Sequence, residues 1–400
     1  MKKYRKLKAN ALLQKVMQKD YLKGRVMNRM GPSAWITSGA PVEILRALGI
    51  TPFYPENYGA LCAARKVSGD LCREAEDRGY SPEICAYGRN HLGSLFNPSR
   101  APLKGLPRPD MLVACNNICG TVLKWDQTLS RELQIPLFFL DTPYVTAGEA
   151  GEEAVDYVET QLRALVEFLE GQTGRKLRED RLQETLDCSA EATRLWTKIR
   201  EMGKHRPSPI NAPDLFVNMA PIVVLRGTRQ AVDYYRVLLK ELEERAERGE
   251  GALLEEKYRL LWDNIAIWHR VLSFYGMFTD YGACFVVDTY TGAWSGTWEP
   301  GEDPFRSMAR VYTGILLNQG IEPRAAMMLR DTLDYQVDGF VMHANRSCKP
   351  YSQLQLPLRR ILTEKTGLPG LLVEADMCDP RNFAAESIKT RVEAFLENLA

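Results

Sequence analysis

The sequence predicts an α/β fold: two parallel-sheet lobes, Rossmann-like or flavodoxin-like in style, joined by a helical middle segment. Three observations predict it. Near both ends of the chain, apolar runs of strand length alternate with segments of helical period, the pattern of a parallel sheet covered by helices. In between, from Glu149 to His205, the period switches to 3.6, with Val155, Val158, Leu162, Leu165, Val166 and Leu169 on one face. Finally, 400 residues with 45% hydrophobic and 26% charged content make an ordinary globular chain, long enough for two or three domains of ~150 residues each.

Residues 1–30 are strongly basic, with Lys2, Lys3, Arg5, Lys6, Lys8, Lys15, Lys19, Lys23, Arg25 and Arg29 against Asp20 alone. Leu12, Leu13, Val16 and Met17 recur at helical spacing, so the segment reads as an amphipathic helix packed on the body or on a partner subunit. A first α/β domain over 31–147 opens with a strand at Trp35, and Pro41 sits at a helix start, where its missing N–H costs nothing. A second strand spans Ile50–Tyr54, a helix Leu61–Arg78 ends at Gly79, and a Pro/Gly/Ser-rich loop runs from Arg89 to Pro109. Strands at Met111–Ala114 and Ile135–Tyr144 flank a helix from Thr121. The helical connector covers 148–255, with a second helix carrying Leu182, Leu186, Leu195 and Ile199 and a third from Gly227 to Arg248, across the proline-rich break at 206–213. The closing α/β domain, 256–400, has strands at 260–263, 283–290, 339–343 and 370–375 with helices at 267–272, 324–335, 352–366 and 384–398. The halves are similar in style, with no sequence repeat.

A net charge of +1 argues against a nucleic-acid or membrane footprint. No apolar run approaches the ~18 residues of a membrane span, and the first thirty residues lack the apolar core of a secretory signal. Nine cysteines in a chain this long are too sparse for a disulfide scaffold, so a cytoplasmic protein with reduced thiols is expected. The motifs GxxxxGK[ST], GxGxxG and GxSxG are missing, which speaks against a nucleotide engine and against a hydrolase.

Chemistry gathers at strand ends. The stretch Asp110–Trp125 places Cys115 and Cys119 after a buried strand, where open α/β sheets bind ligands. Cys348 and Cys378 follow two later strands, and Cys85 lies in a short segment of its own. These spacings match neither zinc ribbons nor the ferredoxin cysteine run. Cys62, Cys72, Cys188 and Cys284 read as packing residues. His269 and His343 lack a second histidine at ligand spacing and read as hydrogen-bonding or structural.

Several blocks resemble the 2-hydroxyacyl-CoA dehydratase / benzoyl-CoA reductase family. They are Ser38-Gly-Ala-Pro-Val-Glu-Ile-Leu-Arg-Ala-Leu-Gly, Tyr54-Pro-Glu-Asn, the run from Ala75 to Tyr87, and Asn116-Asn-Ile-Cys-Gly-Thr-Val-Leu-Lys-Trp. The later blocks are Arg259-Leu-Leu-Trp-Asp, Asp288-Thr-Tyr, His343-Ala-Asn-Arg-Ser-Cys-Lys-Pro-Tyr-Ser and Glu374-Ala-Asp-Met-Cys-Asp-Pro-Arg. They fall in the family's order over residues 30–400. The resemblance implies a cluster-bearing subunit in which Cys85, Cys119 and Cys348 hold a low-potential 4Fe–4S cluster for radical (ketyl) chemistry on an acyl-CoA. By the same resemblance Cys115 stands beside a ligand rather than being one, and Cys378 is left out. Asn116, Asn117 and Ser347 are candidates to hydrogen-bond cluster sulfur. Glu56 and Ser38 are the candidate substrate-facing residues, with structural capping as their competing role.

The resemblance also implies a paralogous second subunit in a heterodimer, a separate ATP-dependent iron–sulfur activator, and an oxygen-sensitive enzyme of an anaerobic cytoplasm. It leaves open dehydration of (R)-2-hydroxyacyl-CoA against reduction of benzoyl-CoA, with the cysteine blocks slightly closer to the reductase side. Two alternatives stand beside it: a homodimer carrying a double-cubane 8Fe cluster that reduces small molecules, and a non-catalytic electron-relay or assembly subunit.

Overall fold

The computed structural model describes residues 4–28, 30–296, 298 and 301–399. Lys2, Lys3 and Arg29 of the basic N-terminal segment lie outside the described residues. Among the described residues, eight strands form two sheets. The first contains β1 (Ser33–Ile36), β2 (Thr51–Phe53), β3 (Met111–Cys115) and β4 (Leu137–Leu140), and the second β5 (Tyr258–Asp263), β6 (Ala283–Asp288), β7 (Gly339–Asn345) and β8 (Gly370–Ala375). All pairings are parallel, and the orders are β2-β1-β3-β4 and β6-β5-β7-β8. Numbered within its own lobe, each sheet thus runs 2-1-3-4, a shared topology without a shared sequence.

Burial explains why the strands read as continuous apolar runs. Every residue of β1, β3 and β6 is buried, as expected when helices cover both faces of a parallel sheet. The edges differ. Edge strand β2 carries Pro52, which has no N–H to offer a further strand, and β8 alternates buried residues with exposed Glu374.

One face of the first sheet shares a core with the long middle helices. Ile36, Val113 and Leu140 pack in the same cluster as Val155, Val158, Leu162, Leu165 and Leu169 of helix Glu152–Thr173 and Leu195, Trp196 and Ile199 of helix Glu179–Glu201. The other face belongs to a core drawn from both lobes. Trp35, Leu112 and Trp125 lie in one cluster with Ile265, Cys348 and Met377. The N-terminal helix, Ala9–Met27, lies on the body: Leu13 is buried, and Glu241 accepts hydrogen bonds from the backbone N–H groups of Lys8 and Ala9, both at 2.8 Å, capping its start.

Several sequence expectations need correction, among them the helix at 267–272, where a 3-10 turn, Trp268–Arg270, leads into a helix over Val271–Thr279. The segment expected as one helix from Leu61 to Arg78 is two, Pro55–Ala64 and Ser68–Glu76, broken where Lys66 takes a positive φ of 61°. The first begins six residues earlier than expected, because Pro55 at its first turn favours helix. The loop expected after Arg89 starts only at Asn97, since helix Ala86–Phe96 is buried along nine of its residues and tertiary packing overrides its glycines. Short helices Ala212–Asn218, Ala220–Val224 and Pro304–Thr313 also escaped the periodicity.

A buried polar knot joins the first sheet to its helical cover. Glu43, fully buried, accepts hydrogen bonds from Arg226 Nε at 3.0 Å, Ser189 Oγ at 2.7 Å and the Tyr312 hydroxyl. Arg226 in turn donates to the Ala40 carbonyl at 3.1 Å. Glu43→Ala leaves this guanidinium buried without its anion and should cost about 3–5 kcal/mol in chemical denaturation. Arg73→Ala, which removes the exposed pair with Asp70, should leave the transition in place.

Candidate functional site

The two sheets point their carboxyl ends at one crevice. In a 2-1-3-4 sheet the connections leave in opposite directions on either side of the first strand, which opens a gap at the carboxyl ends there. Here the gaps of both lobes meet in a cavity of about 90 Å³. Its wall takes residues from beyond every strand except β4: Ser38 and Gly39 after β1, Glu56 after β2, Ile118 and Cys119 after β3, and Ile265, Tyr290, Cys348 and Met377 after β5 to β8. That volume is well below the roughly 300–1,000 Å³ of a pocket for a whole organic ligand.

Cys85, Cys119 and Cys348 all line this cavity. Each stands where a helical turn begins, so backbone N–H groups face its sulfur. Thr121 N donates to Cys119 Sγ at 3.2 Å. The amides of Gly88 and Tyr87 face Cys85, and that of Tyr351 faces Cys348. Burial pushes the Cys85 thiol up to about 12, and the neighbouring Cys119 adds to it. Burial, then the proximity of Cys119 and Cys85, drives Cys348 well above the usual thiol range. Three thiols thus sit within electrostatic reach of one another among amide donors suited to anionic sulfur.

The cysteines left out of the ligand set do not line the cavity, although Cys378 packs in the same core as Cys348 and lies within electrostatic reach of Cys85. Cys115 ends β3 inside the core of the first sheet, its thiol pushed up to about 12 by burial. Cys378 is fully buried and directs its Sγ at the Gly59 carbonyl, 3.5 Å away. Cys62, Cys72 and Cys284 are buried, and Cys188 is half-buried on its helix.

Of the three residues considered for hydrogen bonds to sulfur, only Ser347 reaches the cavity, and its buried Oγ has no partner among the described residues. Asn116 is spent on Asp141 and Thr142. Asn117 clasps the carbonyls of Gly39 and Tyr312, both at 2.9 Å. That clasp requires a glycine at 39, because a Cβ there would stand 2.5 Å from Asn117 Oδ1. Both histidines bind backbone: His343 Nδ1 meets the Ile265 carbonyl at 2.7 Å and His269 Nε2 that of Asp376 at 3.1 Å.

Glu56 enters the cavity from the first turn of helix Pro55–Ala64. Its Oε1 accepts the Ser38 N–H at 3.2 Å, while its buried Oε2 has no partner among the described residues. Burial raises this carboxyl to about 7, against the weaker opposing effect of hydrogen bonds from the backbone and Ser38. Sequence reasoning missed the aromatic wall of Tyr87, Trp125, Tyr290, Trp294 and Tyr351. Tyr87 and Tyr351 follow Cys85 and Cys348 by two and three residues, a first-turn position that was available as a signal. It also missed Asp126, only 4% exposed, whose carboxyl is driven up by burial and then by the nearby charge of Glu56.

Comparison with known proteins places the chain. The model of the 2-hydroxyglutaryl-CoA dehydratase D-component family matches residues 37–399. The chain belongs to that family. Among relatives of this dehydratase family, the (R)-2-hydroxyisocaproyl-CoA dehydratase alpha subunit of Clostridioides difficile is 34% identical over 92% of this chain and 90% of its own length. The lactoyl-CoA dehydratase alpha subunit of Anaerotignum propionicum is 33% identical over 91% and 89%. A benzoyl-CoA reductase subunit of Thauera aromatica is 31% identical over 89% and 85%. Family members of both kinds are enzymes, as expected of this chain. Among the described residues, no helix is long and apolar enough to cross a membrane.

The Glu56 shift has a thermodynamic consequence. Unfolded, the carboxyl ionises near 4.5; folded, near 7. Its contribution to stability is therefore fully present below pH 4.5 and is lost as the pH rises towards 7. Glu56→Gln lacks this loss, so denaturation from pH 4 to 8 should show the variant gaining on the wild type by up to about 3 kcal/mol and then levelling off. Parallel pH profiles would place the Glu56 carboxyl in water.

Proposed function

We propose that this chain is the cluster-bearing subunit of an oxygen-sensitive acyl-CoA enzyme, with dehydration of a (R)-2-hydroxyacyl-CoA as the favoured reaction. The observation that carries the reading is the meeting of three thiols and a buried, near-neutral carboxyl in one cavity at the facing strand ends. Cys85, Cys119 and Cys348 would hold a 4Fe–4S cluster. The donor set fits: thiolates are the iron ligands of such clusters, and backbone amides face all three sulfurs. Among the described residues, no three His, Cys, Asp or Glu side chains close on a single metal ion. Thiolates of a multi-iron cluster bind different irons and so stand farther apart than the ligands of one ion.

When bound, the cluster supplies single electrons of low potential to the thioester carbonyl of the substrate. The chain's own residues do the rest. Aromatic side chains and the lobe-spanning core exclude water from the cavity. Glu56, held by the Ser38 amide and without a partner on its other oxygen among the described residues, would take and return a proton at the acyl chain. Near-neutral basicity suits that role, because the group both accepts and releases a proton at physiological pH.

Reduction of an aryl-CoA is the second reading, supported by the aromatic wall and the similarity to the reductase relative. The designation of the dehydratase relatives as alpha subunits supports a paralogous second subunit. Without a phosphate-binding loop in this sequence, ATP hydrolysis is assigned to a separate iron–sulfur activator, and the enzyme to an anaerobic cytoplasm.

Anaerobically purified protein should carry about four irons per chain. Cys119→Ser or Cys348→Ser should abolish iron loading, whereas Cys188→Ser should retain it; full iron in either of the first two overturns the ligand assignment. With its second subunit and activator, the enzyme should turn over 2-hydroxyacyl-CoA in preference to benzoyl-CoA, and Glu56→Gln should lower that rate by about 10²-fold or more, on the order expected for loss of a general base.

A further inference from the structure

A larger chamber lies on the other side of helix Pro55–Ala64. Tyr54, Asn57, Tyr58 and Leu61 line it, spaced three and four apart on one helical face, whereas Glu56 points the opposite way into the thiol cavity. The chamber encloses about 750 Å³, within the size range of sites for organic ligands. Its outer wall is the N-terminal helix, through Met17, Asp20, Lys23 and Met27. That helix precedes residue 37, where the match to the family begins.

The polar groups facing this space are mostly donors. The Tyr54 hydroxyl has no hydrogen-bond partner among the described residues, although the residue is only 5% exposed. Arg46 gives one nitrogen to the Val224 carbonyl at 2.6 Å, and its buried Nε has no partner among the described residues. Four cations, Lys23, Arg46, Arg181 and Arg229, line the chamber against two carboxylates, Asp20 and Glu184. Arg181 is paired with Glu184 and Arg229 with Asp233. Among the described residues neither Lys23 nor Arg46 has a carboxylate within ion-pair distance, and Asp20 is the acidic group whose charge both of them feel. The walls between are apolar, with Met17, Ile50 and Phe53.

A buried hydroxyl and a buried guanidinium N–H without partners carry a desolvation penalty that a ligand acceptor would relieve. We propose that the chamber between the N-terminal helix and the first lobe binds an organic phosphate, with the phosphate at Arg46, Lys23 and the Tyr54 hydroxyl and the body of the molecule against Met17, Ile50 and Phe53. With Arg181 and Arg229 already paired, Lys23 and Arg46 leave one positive charge over that of Asp20 to meet a phosphate, and the fork of a guanidinium suits its oxygens.

Calorimetric titration of the full-length, anaerobically purified protein tests this, with adenosine monophosphate, coenzyme A and inorganic phosphate as probes. Binding is credited to the chamber only where Arg46→Met removes it. One organic phosphate should bind, and Arg46→Met should weaken it by about tenfold or more. Lys23→Met, a change at an exposed residue that leaves the fold intact, should weaken binding and flatten its salt dependence. Tyr54→Phe should not lower the melting temperature of the ligand-free protein, because its buried hydroxyl has no partner among the described residues to lose, yet should weaken binding several-fold. Inorganic phosphate binding as tightly as the organic probes assigns the site to free phosphate; weaker binding assigns it to a ligand with a body. Binding by none of the probes, or affinities untouched by both Arg46→Met and Lys23→Met, overturns the proposal. Iron content should stay at wild-type level in all three variants, so this site and the thiol assignment fail by different measurements.

Discussion

The geometry of the crevice depends on one buried guanidinium. Arg89, with no exposed surface, sits on the helix that begins after Cys85, and its Nη1 donates to Asp379 of the second lobe at 2.9 Å and to Glu76 at 2.6 Å. Its Nε holds the Ile84 carbonyl at 3.1 Å, immediately before Cys85. Asp379 follows cavity-lining Met377 by two residues, so a single side chain ties a thiol-bearing turn of one lobe to the strand-end loop of the other. Arg381 adds to the clasp by bonding both Asp379 and Glu76. Charges buried this deeply are costly unless paired and hydrogen-bonded, and two of the pairs here, Arg89 with Asp379 and Arg381 with Glu76, form only when the two lobes hold this relation.

Around that clasp, neutral hydrogen bonds close the seam. Trp268 Nε1 donates to the Tyr87 hydroxyl at 2.6 Å, and within the second lobe the Trp268 amide holds the Met377 carbonyl at 3.0 Å. Ser68 Oγ donates to the Cys378 carbonyl. These bonds run through residues beside the thiols rather than through the thiols themselves. The sulfurs are thereby left facing the cavity, beside backbone amide donors. The cluster proposed for this cavity would benefit from that separation, since burial and fixed amide dipoles tune the potential of a cluster.

The same strand order in both lobes explains why the strand ends meet. Each sheet opens a gap beside its first strand, and the lobes are oriented so that the gaps face each other. Nothing in the side chains reveals this repetition, because strand order is held by backbone hydrogen bonds and by the handedness of crossovers. Sequences can diverge fully while that constraint persists.

Strand and helix identity was legible wherever period and length agreed. Met111–Cys115 and Gly339–Asn345 are buried apolar runs bounded by polar residues, and helix Glu152–Thr173 shows its inward face in sequence as it does in the fold. The family, too, was legible, since its motif blocks are contiguous and keep their order. Helix Ala86–Phe96 was not: its glycines and polar residues are helical only because both lobes pack around them. The fates of Asn116 and Asn117, the partnerless hydroxyl of Tyr54 and the raised carboxyl of Glu56 were equally hidden, because each depends on neighbours that fold there from distant parts of the chain. Local period is written within a dozen residues and so survives in the sequence alone. Burial, pairing and the meeting of Cys85, Cys119 and Cys348 arise from contacts between residues far apart along the chain, and only the tertiary structure decides them.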